Sequence, residues 1–194
     1  MSRDAGSFNI PGRDGSCSRF INPVVVDREF SLSSQYIPQC QERHESGLVK
    51  DMYKYIEVKG NSFVLSLDNH VEVTEALTAF CKEKGILSGT VSGIGAISEA
   101  TFRFLDPAIK QYVDRTFREQ MEVTNLTGNI SQKNGEVYLH LHLTASRRDY
   151  TCIGGHLLSA RINGACELFV ESFPGTYTGR RPDAETGLNL YEFK

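Results

Sequence analysis

Val137-Tyr-Leu-His-Leu-His-Leu-Thr144 is the stretch that decides the fold of this chain, because apolar and polar side chains alternate along it. A period of two predicts a β-strand whose leucines face a core. His140 and His142 then share the opposite face, with their Cβ atoms roughly 7 Å apart. Two imidazoles at that separation can bind one metal ion. Alternating histidines also occur in half-exposed strands that hold no metal, so the sequence pattern leaves both interpretations open.

A third histidine follows where the chain can return beside this strand. Arg147–Tyr150 is polar and typical of a turn, and Thr151–Ala160 can form the antiparallel partner strand. That pairing would bring His156 to His140 and His142. Neutral nitrogen ligands suit zinc, with iron, nickel or copper as alternatives. Three protein ligands leave one coordination position open, which is typical of reactive or ligand-binding centres rather than structural zinc sites.

A reactive metal centre also needs a proton acceptor. Glu167 is the best candidate, because Ala165–Ser172 is predicted to be a strand next in sequence to that of His156. The competing interpretation of Glu167 is a surface-facing strand residue. Cys152 and Cys166 could instead supply a soft fourth ligand, or they could be buried and inert thiols.

The composition predicts one folded domain without a membrane span. The chain has 194 residues, of which 40% are hydrophobic and 23% charged, enough for one good core. Residues 1–50 show no sustained period, so we expect a poorly ordered extension before a single domain at residues 51–194. No stretch approaches the roughly 20 apolar residues of a membrane span, and the N-terminus lacks a secretory signal.

Cysteine use and charge indicate the compartment and the partners. Five scattered cysteines without a Cys-x-x-Cys pair favour reduced thiols in the cytoplasm. A net charge of −3 and a pI near 6.0 argue against a strong nonspecific grip on nucleic acid. Two basic pairs, Arg147-Arg148 and Arg180-Arg181, are interpreted as solvated surface. We therefore expect a cytoplasmic protein, with DNA as a candidate partner through a local basic patch.

One helix and many short strands are predicted after residue 50. Val71–Lys84 has apolar residues at helical spacing and is followed by Gly85, a suitable C-terminal cap. Before it, Tyr53–Val58 and Phe63–Leu67 predict a hairpin. After it, turn residues, notably Asn134-Gly135 and Asn163-Gly164, bound seven predicted strands: Ser88–Ser92, Glu99–Leu105, Phe117–Thr124, Leu126–Ser131, Val137–Ser146, Thr151–Ala160 and Ala165–Ser172. The fold class is α+β, one main helix against a curved, mostly antiparallel sheet.

Gly93-Ile-Gly95 has the glycine spacing of a dinucleotide fingerprint but not its context. The third glycine is absent, and a predicted strand follows where the fingerprint needs a helix. We interpret these glycines as a tight turn between strands or as a close approach of two backbones.

Four motifs together resemble the Plants and Prokaryotes Conserved domain, abbreviated PPC. In order and spacing they match as Val91-Ser-Gly-Ile-Gly-Ala-Ile-Ser98, Met121-Glu-Val-Thr-Asn-Leu-Thr-Gly-Asn-Ile-Ser131, His140-Leu-His142 and Gly154-Gly-His-Leu157. The resemblance covers about Met52 to Ser172. The later segment Asp183–Leu188 is similar to a tail found in prokaryotic members.

The resemblance implies one helix beside a seven-stranded antiparallel sheet, assembled as a homotrimer in prokaryotic members. It also implies that His140, His142 and His156 match the histidine set of bacterial and archaeal members, with zinc as the first candidate metal and iron or nickel as alternatives. Plant members add an AT-hook that enters the DNA minor groove. This chain has Gly179-Arg-Arg-Pro182 instead, with arginine where the hook needs glycine.

Two classes of function follow. The first is a homotrimeric metal-binding PPC module with a regulatory or interaction role, in which Arg147 and Arg148 are the candidate DNA contacts. The second is a metal-dependent enzyme whose open three-histidine site activates water or binds a small substrate. No Ser-His-Asp arrangement, P-loop or Gly-x-Ser-x-Gly elbow supports the enzyme interpretation.

Overall fold

The structure is a computed structural model that describes residues 52–58, 60–109 and 111–193. The predicted extension, residues 1–50, lies outside the described residues, and so do Cys17 and Cys40.

A β-hairpin opens the described chain, as the sequence predicted. Strand β1, Tyr53–Val58, pairs antiparallel with β2, Ser62–Leu67. The turn between them has positive φ at Gly60 (83°) and Asn61 (68°), a conformation that these two residue types tolerate well. Alternate side chains of β2 are buried, namely Phe63, Leu65 and Leu67.

Helix α1, Val73–Lys84, begins two residues later than the predicted start at Val71. The Glu72 side chain sets this start, because its carboxylate accepts a hydrogen bond of 2.7 Å from the backbone N–H of Glu75 and caps the helix. Gly85, with φ of 65°, ends the helix as predicted. The buried face consists of Val73, Ala76, Leu77, Phe80 and Cys81. Within the described residues, no helix is both long and apolar enough to cross a membrane.

Four long antiparallel strands form the centre of the fold: β3, Gly89–Asp106; β4, Gln111–Lys133; β5, Glu136–Ser146; and β6, Cys152–Ser172. The strand order is β1-β2-β6-β3-β4-β5, and β5 pairs in addition with β6. Each of β3, β4, β5 and β6 thus pairs with two others of the four, which closes them into a curved ring. The predicted mostly antiparallel sheet with one helix is confirmed. The expected count of seven strands is not, because the main sheet has six in the described chain.

The strands predicted from turn residues, two in the hairpin and seven after the helix, merge into the six of the main sheet because segments that predicted turns lie inside long strands. Gly93-Ile-Gly95 lies within β3, where the pairing with β4 shifts its register. A Cβ at Gly93 would lie 2.5 Å from the carbonyl oxygen of Glu167 on β6, so glycine permits this close approach. Asn163-Gly164 lies within β6 in the same way. A bulge bends a strand without ending it, yet its residues are the same as those of a turn.

The core lies between α1 and the inner face of the sheet. Phe80 is fully buried, and its ring packs edge-to-face on Phe63 and Tyr53, with centroid distances of 5.3 and 5.5 Å. Leu141 and Leu143 of β5 are also buried in this core. The histidines that alternate with them therefore face away from it.

The C-terminal segment forms a small sheet of its own. Strand β7, Arg180–Pro182, pairs antiparallel with β8, Asn189–Tyr191. The predicted edge strand over Leu188–Phe193 therefore forms, but its partner is β7 rather than the main sheet. A backbone bridge between Gln132 and Gly179 and a hydrogen bond from Arg180 to Ser131 attach this segment to β4.

The described cysteines, Cys81, Cys152 and Cys166, have free thiols. Burial raises the pKa of the Cys81 thiol to about 12 and that of Cys166 to about 11. Both thiols are therefore protonated at neutral pH and are poor metal ligands. Cys152 is exposed.

Candidate metal centre

Three histidines converge on the outer face of the ring of strands. His140 and His142 lie on one face of β5, and His156 on β6 stands directly opposite His142. The ring centroid of His140 lies 5.4 Å from that of His142 and 5.0 Å from that of His156. One ligand atom from each ring lies within 4.8 Å of the other two. The strand pairing predicted from the turn at residues 147–150 is confirmed.

A glycine permits the close approach of β5 and β6 that brings these rings together. A Cβ at Gly154 would lie 2.5 Å from the carbonyl oxygen of Leu143 and 3.0 Å from the Cα of Thr144. No side chain fits there without moving the backbone. The Gly154-Gly155-His156 motif thus places a histidine immediately after the point where the two strands need glycine.

The environment of His156 favours the neutral imidazole. Burial, followed by the charges of His140 and His142, lowers the pKa of His156 to about 4. Arg103 acts in the same direction, whereas Asp114 opposes it. A neutral ring retains a lone pair for a metal at pH 7.

Burial also lowers the pKa of His140, and Arg180 and His142 add to this effect. The donor set therefore fits a divalent transition metal. Imidazole nitrogens around a tetrahedral zinc are roughly 3.3 Å apart, given bonds of about 2.0 to 2.1 Å. The three ligand atoms, within 4.8 Å of one another, would have to move closer together to coordinate one ion. No described carboxylate or thiol joins this cluster, which leaves room for a further ligand.

An ion pair lies on the β3 side of the cluster. Arg103 stands opposite His156 in the pairing of β3 with β6 and opposite Asp114 in the pairing of β3 with β4. Its guanidinium donates two hydrogen bonds, of 2.8 and 2.7 Å, to the Asp114 carboxylate. This ion pair could not be predicted from the sequence, because strand register between distant segments carries no local signal.

A buried arginine lies on the other side. Arg180, interpreted from sequence as solvated surface, is only 9% exposed. Its Nε donates a hydrogen bond to Ser131 Oγ (2.7 Å), and its Nη1 donates one to the Asn189 carbonyl (2.9 Å). Its guanidinium carbon lies 3.9 Å from the ring centroid of Tyr191 and 5.2 Å from that of Tyr138. The basic pair at residues 180–181 is therefore split between a buried and an exposed residue.

The other sequence candidates lie away from the three histidines. Glu167 is exposed and stands opposite Ile94, nine positions along β3 from the partner of His156. Nine residues of strand span on the order of 30 Å. The structure therefore does not bring Glu167 to the cluster. Cys152 and Cys166 are likewise not among the converging ligand atoms.

Comparisons by family model and by solved structure point to the same protein family for this chain. A family model for the Plants and Prokaryotes Conserved (PCC) domain matches residues 56–174. The chain is 55% identical to a solved structure from Bacteroides thetaiotaomicron described as a "putative dna binding protein", with a TM-score of 0.71 over 73% of this chain and 98% of that one. No curated protein matches the chain.

Two archaeal structures extend the comparison. A metal-containing protein from Archaeoglobus fulgidus is 35% identical, with a TM-score of 0.66 over 73% of this chain and 98% of that one. A plant- and prokaryote-conserved (PPC) protein from Pyrococcus horikoshii is 25% identical, with a TM-score of 0.66 over 76% of this chain and 99% of that one.

Proposed function

Because this chain belongs to the Plants and Prokaryotes Conserved domain family, we propose that it is a metal-binding module in which His140, His142 and His156 bind one divalent transition-metal ion. The convergence of their ligand atoms to within 4.8 Å carries this proposal. Zinc is the proposed ion, with iron or nickel as the alternatives for imidazole donors. The similarity to an archaeal protein described as metal-containing supports it.

The three-histidine set favours a ligand-binding centre over a structural one. Structural zinc sites usually have four protein ligands, and the described residues supply three. A zinc ion bound in this way can coordinate an oxygen ligand or lower the pKa of a bound water. Glu167, the proton acceptor predicted from sequence, lies far along the strand from His156. Binding is therefore the function that the geometry supports best, ahead of the metal-dependent enzyme.

Metal analysis of the untagged protein by plasma mass spectrometry tests the proposal. We expect about one equivalent per chain, lost in a His140→Ala/His142→Ala variant. His70→Asn is the matched control, because His70 is exposed, lies outside the cluster and has φ of 67°, a conformation that asparagine tolerates. Metal-free wild-type protein, or metal retained by the double variant, would refute the assignment.

We further propose that the module is a homotrimer, as its resemblance to prokaryotic members implies. Large apolar side chains near the tip of the β3–β4 hairpin support self-association, because a single chain leaves them in water. They are Phe104, Ile109, Tyr112 and Val113, which are 66, 57, 46 and 53% exposed. Light scattering on the samples used for metal analysis gives the molar mass directly.

DNA contact is the second candidate function, favoured by the description of the 55% identical relative. Of the two candidate DNA contacts, Arg147 has its charge already neutralised, because its guanidinium pairs with Glu119 at 2.5 Å. Arg148 is exposed and forms no ion pair with a described carboxylate. If DNA is bound through this surface, Arg148→Ala should weaken a mobility shift on duplex DNA and reduce its salt dependence, whereas Arg181→Ala should not. A shift unaffected by salt or by Arg148→Ala would exclude this surface.

A further inference from the structure

Arg180 is a buried cation without a counter-anion among the described residues. A guanidinium remains protonated in proteins, so burial does not remove its charge. The groups around Arg180 are a serine hydroxyl, a backbone carbonyl and two aromatic rings, none of them anionic. Its Nη2 is buried and has no hydrogen-bond partner within the described part of the chain. An orphaned donor of this kind is rare in folded proteins and calls for an explanation such as a missing ligand.

The position of Arg180 relates it to the three-histidine cluster. Tyr138, whose ring lies beside the guanidinium, is two residues before His140 and so shares its face of β5. Ser131 accepts a hydrogen bond from Arg180 and stands opposite Tyr138 in the pairing of β4 with β5. This pair lies two residues along the strands from the pair that contains His140.

On the side of the cluster where Arg180 lies, the described residues around its guanidinium carry no negative charge that balances it. Neutral imidazoles do not compensate a divalent ion, and the Asp114 carboxylate on the β3 side is already paired with Arg103. A bound metal together with Arg180 would therefore leave several positive charges beside an open coordination position. Such an arrangement favours an anionic ligand.

We propose that the centre binds a small oxyanion, a carboxylate or a phosphate, with one oxygen at the open metal position and its charge met by Nη2 of Arg180. The inference rests on the metal centre proposed above and names the ligand class of that site. A monodentate hydrogen bond from a guanidinium to an oxyanion is a strong, charge-assisted contact. In this role Arg180 is an anchoring residue for the ligand as well as a link between the C-terminal segment and β4.

Cobalt-loaded protein titrated with acetate and, separately, with inorganic phosphate tests this inference through the visible absorption of the metal. We expect both wild-type titrations to saturate, and the anion with the lower Kd identifies the ligand class. In Arg180→Lys the Kd for the anion should rise at least tenfold, because lysine lacks the planar guanidinium whose Nη2 reaches the anion. Arg181→Lys, on the exposed side of the same strand, should match wild type. Equal Kd values for wild type and Arg180→Lys would overturn the inference.

Metal content on the same samples separates the two proposals. Protein without metal overturns both, whereas metal-loaded protein with an Arg180-independent Kd overturns only the anion site. If Arg180→Lys fails to fold, a crystal structure of the wild-type protein with metal and phosphate decides. A phosphate oxygen within hydrogen-bond distance of Nη2 supports the inference, and a carboxylate from a neighbouring copy at Nη2 refutes it.

Discussion

His142 and His156 stand directly opposite each other in the antiparallel pairing of β5 with β6, and their ring centroids lie 5.5 Å apart. The candidate metal centre therefore depends on how closely two backbones approach. A substitution that separates these strands should disturb the site without touching a histidine.

Gly154→Val is expected to do so. Its Cβ would lie 2.5 Å from the Leu143 carbonyl oxygen, which forces β6 away from β5. We expect a metal affinity at least tenfold lower and a free energy of unfolding lower by about 1 to 3 kcal/mol. Metal titration and urea unfolding measure the two effects. Glu171→Thr, at an exposed position of the same strand, is the control; if both variants behaved alike, the close approach at Gly154 would not matter.

Acid should destabilise the metal-free protein between pH 6.5 and about 4. Folding lowers the pKa of His156 from 6.5 to about 4, so in this range the unfolded state binds more protons than the folded state. The stabilisation is fully present above pH 6.5 and is lost as the pH falls through this range. Urea unfolding of metal-stripped protein at pH 7 and pH 5 measures the difference.

The variant His156→Gln supplies the comparison for this pH effect. It cannot take up a proton, so its stability should fall less between pH 7 and pH 5 than that of wild type. A drop of the same size in both proteins would assign the acid sensitivity to other groups.

Glu72→Ala should destabilise the fold by about 1 to 3 kcal/mol. The Glu72 carboxylate caps α1 and also accepts a hydrogen bond of 2.9 Å from the backbone N–H of Ala160 on β6. One substitution therefore removes both the helix cap and a link between helix and sheet. Urea unfolding is the measurement, and Glu75→Ala in the same helical turn should change stability by no more than about 0.5 kcal/mol. Equal effects of the two would contradict this assignment.

Val113→Lys should break up the proposed trimer. Val113 pairs with Phe104 near the tip of the β3–β4 hairpin, and both side chains are more than half exposed. A charge at this position cannot be buried against another copy without a large desolvation penalty. Light scattering should give the mass of one chain, about 21.7 kDa. Tyr150→Asn, at an exposed turn with φ of 64°, should leave the assembly unchanged.

Local patterns predicted the separate elements of the fold well. The helix, its glycine cap, the first hairpin and the histidine face of β5 all follow from periodicities and turn residues that lie close together in the chain. At Gly93-Ile-Gly95 the close backbone approach, one of the two interpretations from sequence, is confirmed and the tight turn is not. At Asn163-Gly164 the predicted turn was wrong. There the same residues that make turns make bulges, and the outcome depends on whether a partner strand continues alongside.

The sequence by itself determined that His140 and His142 share a face, because side-chain direction in a strand is a property of the local backbone. The predicted turn at Arg147–Tyr150 and its return strand added His156 to them, and the motif resemblance agreed. Only the tertiary structure decided the register that places Arg103 opposite His156, the burial of Arg180 and the distance of Glu167 from the cluster. Register and burial arise from contacts between segments far apart in the chain, so no local pattern encodes them.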